Sequence, residues 1–255
     1  MNGKAHRVGV MNGGGSGHAG ALLVVLIGLA FGLAGCSPAE ERQAGARREC
    51  VFERLGTEIA RRHPGAKVLL VGNPFAAKPG ADASFRDAEE ASVRGLKRGL
   101  GNAVSMVGLV HPALRPEAEA NPQSVPIPAG ATTPISFLTV PGAWDQLQKA
   151  APMADTWVSL VGFPADLTET RAWTDLKGPQ WVMFLPDWRI VGSREALRSA
   201  FANGRLLMAV LSKPGAPPES EPMSRNHDEE FDRRYLLVTL GNLDALIGEW
   251  PQLFP

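Results

Sequence analysis

Cysteine is almost missing from this 255-residue chain: there are two, Cys36 and Cys50. That excludes a disulfide scaffold. Charge of one sign is missing too, because 26 basic and 26 acidic side chains cancel, so no overall field favours nucleic acid, and none is expected as a partner. No GxxxxGK[ST] loop and no GxGxxG follows an apolar run, which leaves nucleotide binding unsupported. The GxSxG elbow of the commonest α/β serine hydrolases is absent. Histidines are few, and none stands in HExxH or beside a cysteine at ligand spacing, so neither metal nor other cofactor is expected.

What is present begins at the amino terminus. Lys4 and Arg7 lead into a Gly-rich stretch, and Ala21 to Gly35 then runs without a polar side chain. That order, at about the length of a signal-peptide core, predicts export. Leu33-Ala34-Gly35-Cys36 resembles the lipobox of bacterial lipoproteins. The resemblance implies cleavage before Cys36, lipid on its thiol, a membrane as partner and a place in the cell envelope outside the cytoplasm. Ser37 in place of an acidic residue implies the outer membrane. The alternative is an uncleaved N-terminal anchor, which also puts the domain outside the cytoplasm. Residues 1–35 are read as signal, 36–49 as lipidated cysteine and tether, and 50–255 as one α/β domain.

Within that domain, Val51, Leu55 and Ile59 recur at helical spacing until His63-Pro64-Gly65. Six short apolar runs follow: Val68 to Val71, Val104 to Val110, Trp157 to Val161, Trp181 to Leu185, Leu206 to Leu211 and Tyr235 to Leu240. Such runs read as strands buried on both faces. Helical patterns lie between them at 88–100, 142–151 and 194–202, the last capped by Ser193, with a shorter one at 167–176. The alternation predicts a doubly wound, mainly parallel sheet of five or six strands with helices on both faces. Two proline-rich stretches, 112–134 and 214–230, read as surface excursions, and no helix pattern fits the second. The last strand is expected to be an antiparallel edge.

Ligands of open parallel sheets bind beyond the carboxyl ends of the strands. The residues there share stiff, proline-containing turns: Gly72-Asn73-Pro74-Phe75, His111-Pro112, Gly162-Phe163-Pro164, Pro186-Asp187-Trp188 and Ser212-Lys213-Pro214. Asn73, His111, Phe163, Asp187 and Trp188 are therefore the candidate ligand-binding residues, the aromatics as walls and the rest as polar points for a small organic ligand. In the competing reading the aromatics merely close the end of the sheet. His111 and Asp187 are also the one candidate acid/base pair, across neighbouring strand ends.

The segments Lys67 to Pro74 and Ala154 to Pro164 are similar to the βα units of one half of the type I periplasmic binding proteins. That resemblance implies a reduced or single-lobed version of the fold. Three functions follow as expectations: a lipid-anchored solute-binding or sensing module, a structural or assembly lipoprotein that contacts an envelope protein partner, and a hydrolase with an unrecognised site.

Overall fold

The computed structural model describes residues 38–255, so Cys36 and the stretch read as a signal lie outside the described residues. Six strands form one sheet: β1 (Lys67–Val71), β2 (Ser105–Val110), β3 (Thr156–Ser159), β4 (Gln180–Phe184), β5 (Leu206–Ser212) and β6 (Tyr235–Thr239). Their order is β2-β1-β3-β4-β5-β6. All neighbours run parallel except β5 and β6. This is the doubly wound α/β class, and β6 is the expected antiparallel edge, entered directly from the helix that precedes it.

The central strands are buried on both faces because helices cover both. In β4, alternate side chains part. Val182 and Phe184 face α1 (Pro38–Arg62), where Phe52 lies 5.1 Å from Phe184 between ring centroids. Trp181 points the other way and stacks on Trp144 of α4 (Ala143–Ala150) at 5.1 Å. Leu69, Leu160 and Met183, the expected central residues, are all buried, with Leu160 one residue beyond β3. Local chemistry sets several boundaries. Asp82 accepts from Ser84 N at 2.8 Å at the start of α2 (Ala83–Leu100). Ser193 accepts from Ala196 N at 3.1 Å at the start of α6 (Arg194–Ala202). Each such cap is worth about 1 kcal/mol.

Four expectations are corrected. Residues 38–49, read as a tether grading into helix, are already helix, because Arg47 and Cys50 face inward and are buried. The excursion at 214–230 ends in a helix, α7 (His227–Arg234), started by Asn226, whose side chain accepts from Asp228 N at 2.9 Å. The excursion at 112–134 carries α3 (Pro116–Ala120) and a small core of its own, in which Leu114, Ala118, Val125 and Leu138 pack with Phe75 and Ile127. The 167–176 pattern shrinks to one turn, α5 (Arg171–Thr174), and a final helix, α8 (Leu243–Glu249), follows β6.

α1 and α2 meet backbone to backbone. A Cβ on Gly56 would stand 2.6 Å from Leu96 O, and one on Gly95 or Gly99 would run into Glu49 O or Glu53 O. Gly95 and Gly99, one turn apart on α2, and Gly56 on α1 thus set the closeness of this crossing, at the cost of about 1 kcal/mol each in helix propensity.

Candidate functional site

The strand order reverses between β1 and β3, since the chain moves outward to β2 and then returns to the far side of β1. In this topology the crevice for a ligand opens beside that reversal, at the strands' carboxyl ends. Here the segment between β2 and α4 folds back over part of it. Ser136 Oγ donates to Val161 O at 2.9 Å, and Arg189 Nη1 donates to Ala129 O at 2.9 Å. A Cβ on Gly162 would stand 2.6 Å from Thr133 Oγ1, so only glycine lets this segment lie so close, and its φ of +76° suits the same residue.

Phe163 and Trp188 are not walls of a cavity. Phe163 is fully buried and Trp188 is 4% exposed. Their rings lie 5.9 Å apart, Phe163 also touches Trp173 and Trp181, and Trp188 stacks on Phe254. This cluster continues into the Trp144, Trp157 and Trp181 core beneath. The reason is elementary: two large rings bury more apolar area against each other than a polar solute could cover.

Asp187 is buried but spoken for. Arg189 donates to it three times, Nε to Oδ1 at 2.8 Å, Nη2 to Oδ2 at 2.6 Å and the backbone N to Oδ1 at 3.1 Å, and Thr132 N adds a longer bond. Burial alone would raise this carboxyl, but the Arg189 hydrogen bonds outweigh it and hold the pKa below the usual carboxylate value. His111 is elsewhere. It follows β2 and Asp187 follows β4, with β1 and β3 between them, about 14 Å at ordinary strand spacing. They do not form the acid/base pair expected of neighbouring strand ends.

His111 instead meets Glu89 of α2. Its Nε2 lies 3.0 Å from both carboxylate oxygens, and Glu89 Oε2 also accepts from Asn73 N at 2.8 Å. Asn73 Oδ1 accepts from Phe75 N at 3.0 Å, turning the chain after β1. Gly72 makes room, since a Cβ there would collide with the Glu89 carboxylate and stand 2.8 Å from His111 Nε2. No hydrogen bond among the described residues uses His111 Nδ1 or Asn73 Nδ2. Asn73, Glu89 and His111 are therefore a convergent polar group at the carboxyl ends of β1 and β2. Glu89 escaped the sequence reading, yet it stands four residues before Val93 and seven before Leu96, in phase with the apolar stripe of α2. A carboxylate on such a stripe is the signal that could have found it.

Two surface concavities lie away from this edge. One, of about 410 Å³, runs along β6 between α1 and α8 and is lined by Arg54, Glu58, Tyr235 and Asn242 among others. The other, of about 340 Å³, is at the amino ends of the strands around His63, Asp155 and Gln180. Among the described residues no group of three His, Cys, Asp or Glu is placed to hold a metal ion, and no helix is long and apolar enough to cross a membrane.

The fold and this edge define a doubly wound α/β domain with a polar group at its strand ends. No protein-family model matches the chain, and no curated protein matches it. Among solved structures it is similar to a carbohydrate transporter solute-binding protein from Agrobacterium radiobacter in complex with D-arabinose, at 11% identity and a TM-score of 0.41, covering 85% of this chain and 63% of that one. A periplasmic ribose ABC transporter from Conexibacter woesei gives 13% and 0.43, covering 82% and 63%. A carbohydrate transporter from Acidothermus cellulolyticus in complex with myo-inositol gives 9% and 0.43, covering 82% and 62%. The chain thus spans less than two thirds of the length of each.

Proposed function

We propose that this protein is an exported lipoprotein, anchored outside the cytoplasm through Cys36, whose α/β domain binds or senses a small polar organic solute. The observation that carries the solute reading is the Asn73, Glu89 and His111 group, which sets a buried carboxylate and a partly exposed imidazole at the strand edge where this class of sheet receives ligands. Asp187 contributes on this reading by holding the covering segment through Thr132, while Phe163 and Trp188 support the site from below. The anchoring reading rests on the sequence around Cys36.

Thermal denaturation against a broad panel of uncharged and charged metabolites tests binding. A solute at a hundred times its Kd stabilises by about 2.7 kcal/mol, which for a domain of this size is a rise of roughly 5–10 °C. His111→Ala should abolish the rise while leaving the unliganded protein folded. A panel that leaves wild type unmoved would sink the solute reading. Mass spectrometry tests the anchor: the mature chain should begin at an acylated Cys36, and an intact Met1 start would refute it.

A further inference from the structure

A second polar centre lies one helical turn along α2 from Glu89. Arg48 of α1 stands four residues before Phe52 and seven before Leu55, in phase with the buried stripe, and is half-buried. Its Nε donates to Ser92 Oγ at 2.7 Å, and its guanidinium carbon sits 4.8 Å from the Phe184 ring centroid and 5.6 Å from that of Phe52. The tether and the stacking fix the plane of the fork. The two Nη nitrogens make no hydrogen bond among the described residues, and no carboxylate lies within ion-pair distance. Nor are they among the sealed, partnerless polar atoms of the interior. The neighbouring arginines behave differently. Arg47 Nη2 donates to Glu219 O and Glu221 O, and Arg234 Nη1 donates to Pro217 O and Pro218 O.

Phe184 closes β4, and the next residue, Leu185, has a φ of +46°, the one positive φ outside glycine among the described residues. A branched side chain pays for that conformation, so the turn that presents Phe184 beneath Arg48 is held against its local preference. A cation fixed on an aromatic ring, next to a strained turn at the carboxyl end of a central strand, is a preorganised half of an ion pair.

We propose that Arg48, seated on Phe184, receives the carboxylate of a small organic acid, so that the solute of this site is an anion. This rests on the reading that the carboxyl edge is the ligand site. The planar fork matches a carboxylate with two parallel hydrogen bonds, and partial burial strengthens the pair over one in water. Burial also pushes the Arg48 pKa down to about 10, with Tyr235 and Glu89 the nearby groups that oppose the shift, so it is still a cation at pH 7 and a partner anion would be stabilised there. One unpaired cation calls for one negative group, and Glu89 close by disfavours a multiply charged phosphate.

The test uses the full mature protein in detergent at constant ionic strength. Acetate, succinate and D-gluconate are compared with acetamide, succinamide and D-glucose by thermal shift, and by the 15N–1H resonance of Arg48 Nε. At least one carboxylate should raise the melting temperature saturably and move the Arg48 resonance, with its uncharged counterpart inert. Arg48→Met should remove the effect, and Arg48→Lys, which keeps the charge and loses the fork, should weaken it about tenfold. Equal action by charged and uncharged probes, or carboxylate binding untouched in both Arg48 variants, overturns the proposal. So does a wild type that responds to none of the acids. A neutral solute that binds wild type and Arg48→Met alike but not His111→Ala would overturn the anion and leave the solute reading standing.

Discussion

A methyl group on Gly95 would overlap the backbone carbonyl of Glu49, so the α1–α2 crossing is closed by main chain and not by side chains. Backbone cannot rotate out of the way as a side chain can. Gly95→Ala would gain about 1 kcal/mol of helix propensity and lose about 3 kcal/mol to overpacking. A net loss near 2 kcal/mol in urea unfolding is expected. Gly45, in α1 but away from the crossing, has nothing within 4 Å of where a Cβ would stand, so Gly45→Ala should stabilise by up to about 1 kcal/mol. Equal signs for the two variants would contradict the crossing.

Glu230 is fully buried and bound by Arg234, Arg233 and Ser224 N, with Arg47 at 3.8 Å. Burial raises its pKa, but the Ser224, Arg234 and Arg233 hydrogen bonds outweigh it, so the folded value lies below the usual one. A carboxyl with a depressed folded pKa contributes stability above its unfolded value, about 4.3, and loses it as pH falls through the folded value. Stability should therefore drop steeply below about pH 4. Glu230→Gln should cost about 3–5 kcal/mol at pH 7 by stranding buried arginines, and should flatten that acid limb. Parallel acid limbs in chemical denaturation of the two proteins would show that Glu230 does not set it.

The Cys50 thiol is buried, donates to His227 O at 3.0 Å, and is pushed up to about 12 chiefly by burial, with Glu230 and Glu53 adding. At pH 8 it is protonated and shielded. In a Cys36→Ala variant, where it is the remaining cysteine, alkylation should be absent in the native state and should appear with unfolding. Fast labelling of folded protein would overturn the packing of α1 on α7.

Asn242 caps the sheet's edge. Its Nδ2 donates to Leu237 O at 2.8 Å and its Oδ1 accepts from Thr239 N at 2.8 Å, two of the outward groups of β6 that a further strand would use. Asn242→Ala should cost about 1–2 kcal/mol and raise the tendency to self-associate, read by light scattering against concentration. A variant as stable and monodisperse as wild type would show that water replaces the carboxamide without loss.

Trp188 and Phe163 support one another, so Trp188→Ala should lower stability by about 3–5 kcal/mol. At temperatures where that variant stays folded, a bound solute should lose affinity only modestly. Complete loss of binding in a folded, stable variant would restore the aromatic wall expected from sequence.

The sequence by itself determined where the six strands and the longer helices between them lie. The apolar run at 181–185 became β4, and Ser193 started the helix over 194–202, because hydrophobic period and caps act over a few residues. Which turns share the carboxyl edge of the sheet was legible too, since every parallel strand ends on it. Only the tertiary structure decided which of those residues meet. Strand order parted His111 from Asp187 and gave them to Glu89 and Arg189. Packing turned Phe163 and Trp188 inward and left the two Nη nitrogens of Arg48 without a hydrogen bond among the described residues. Such pairings join residues far apart in the chain, and their energies depend on burial and on neighbours that no local pattern specifies.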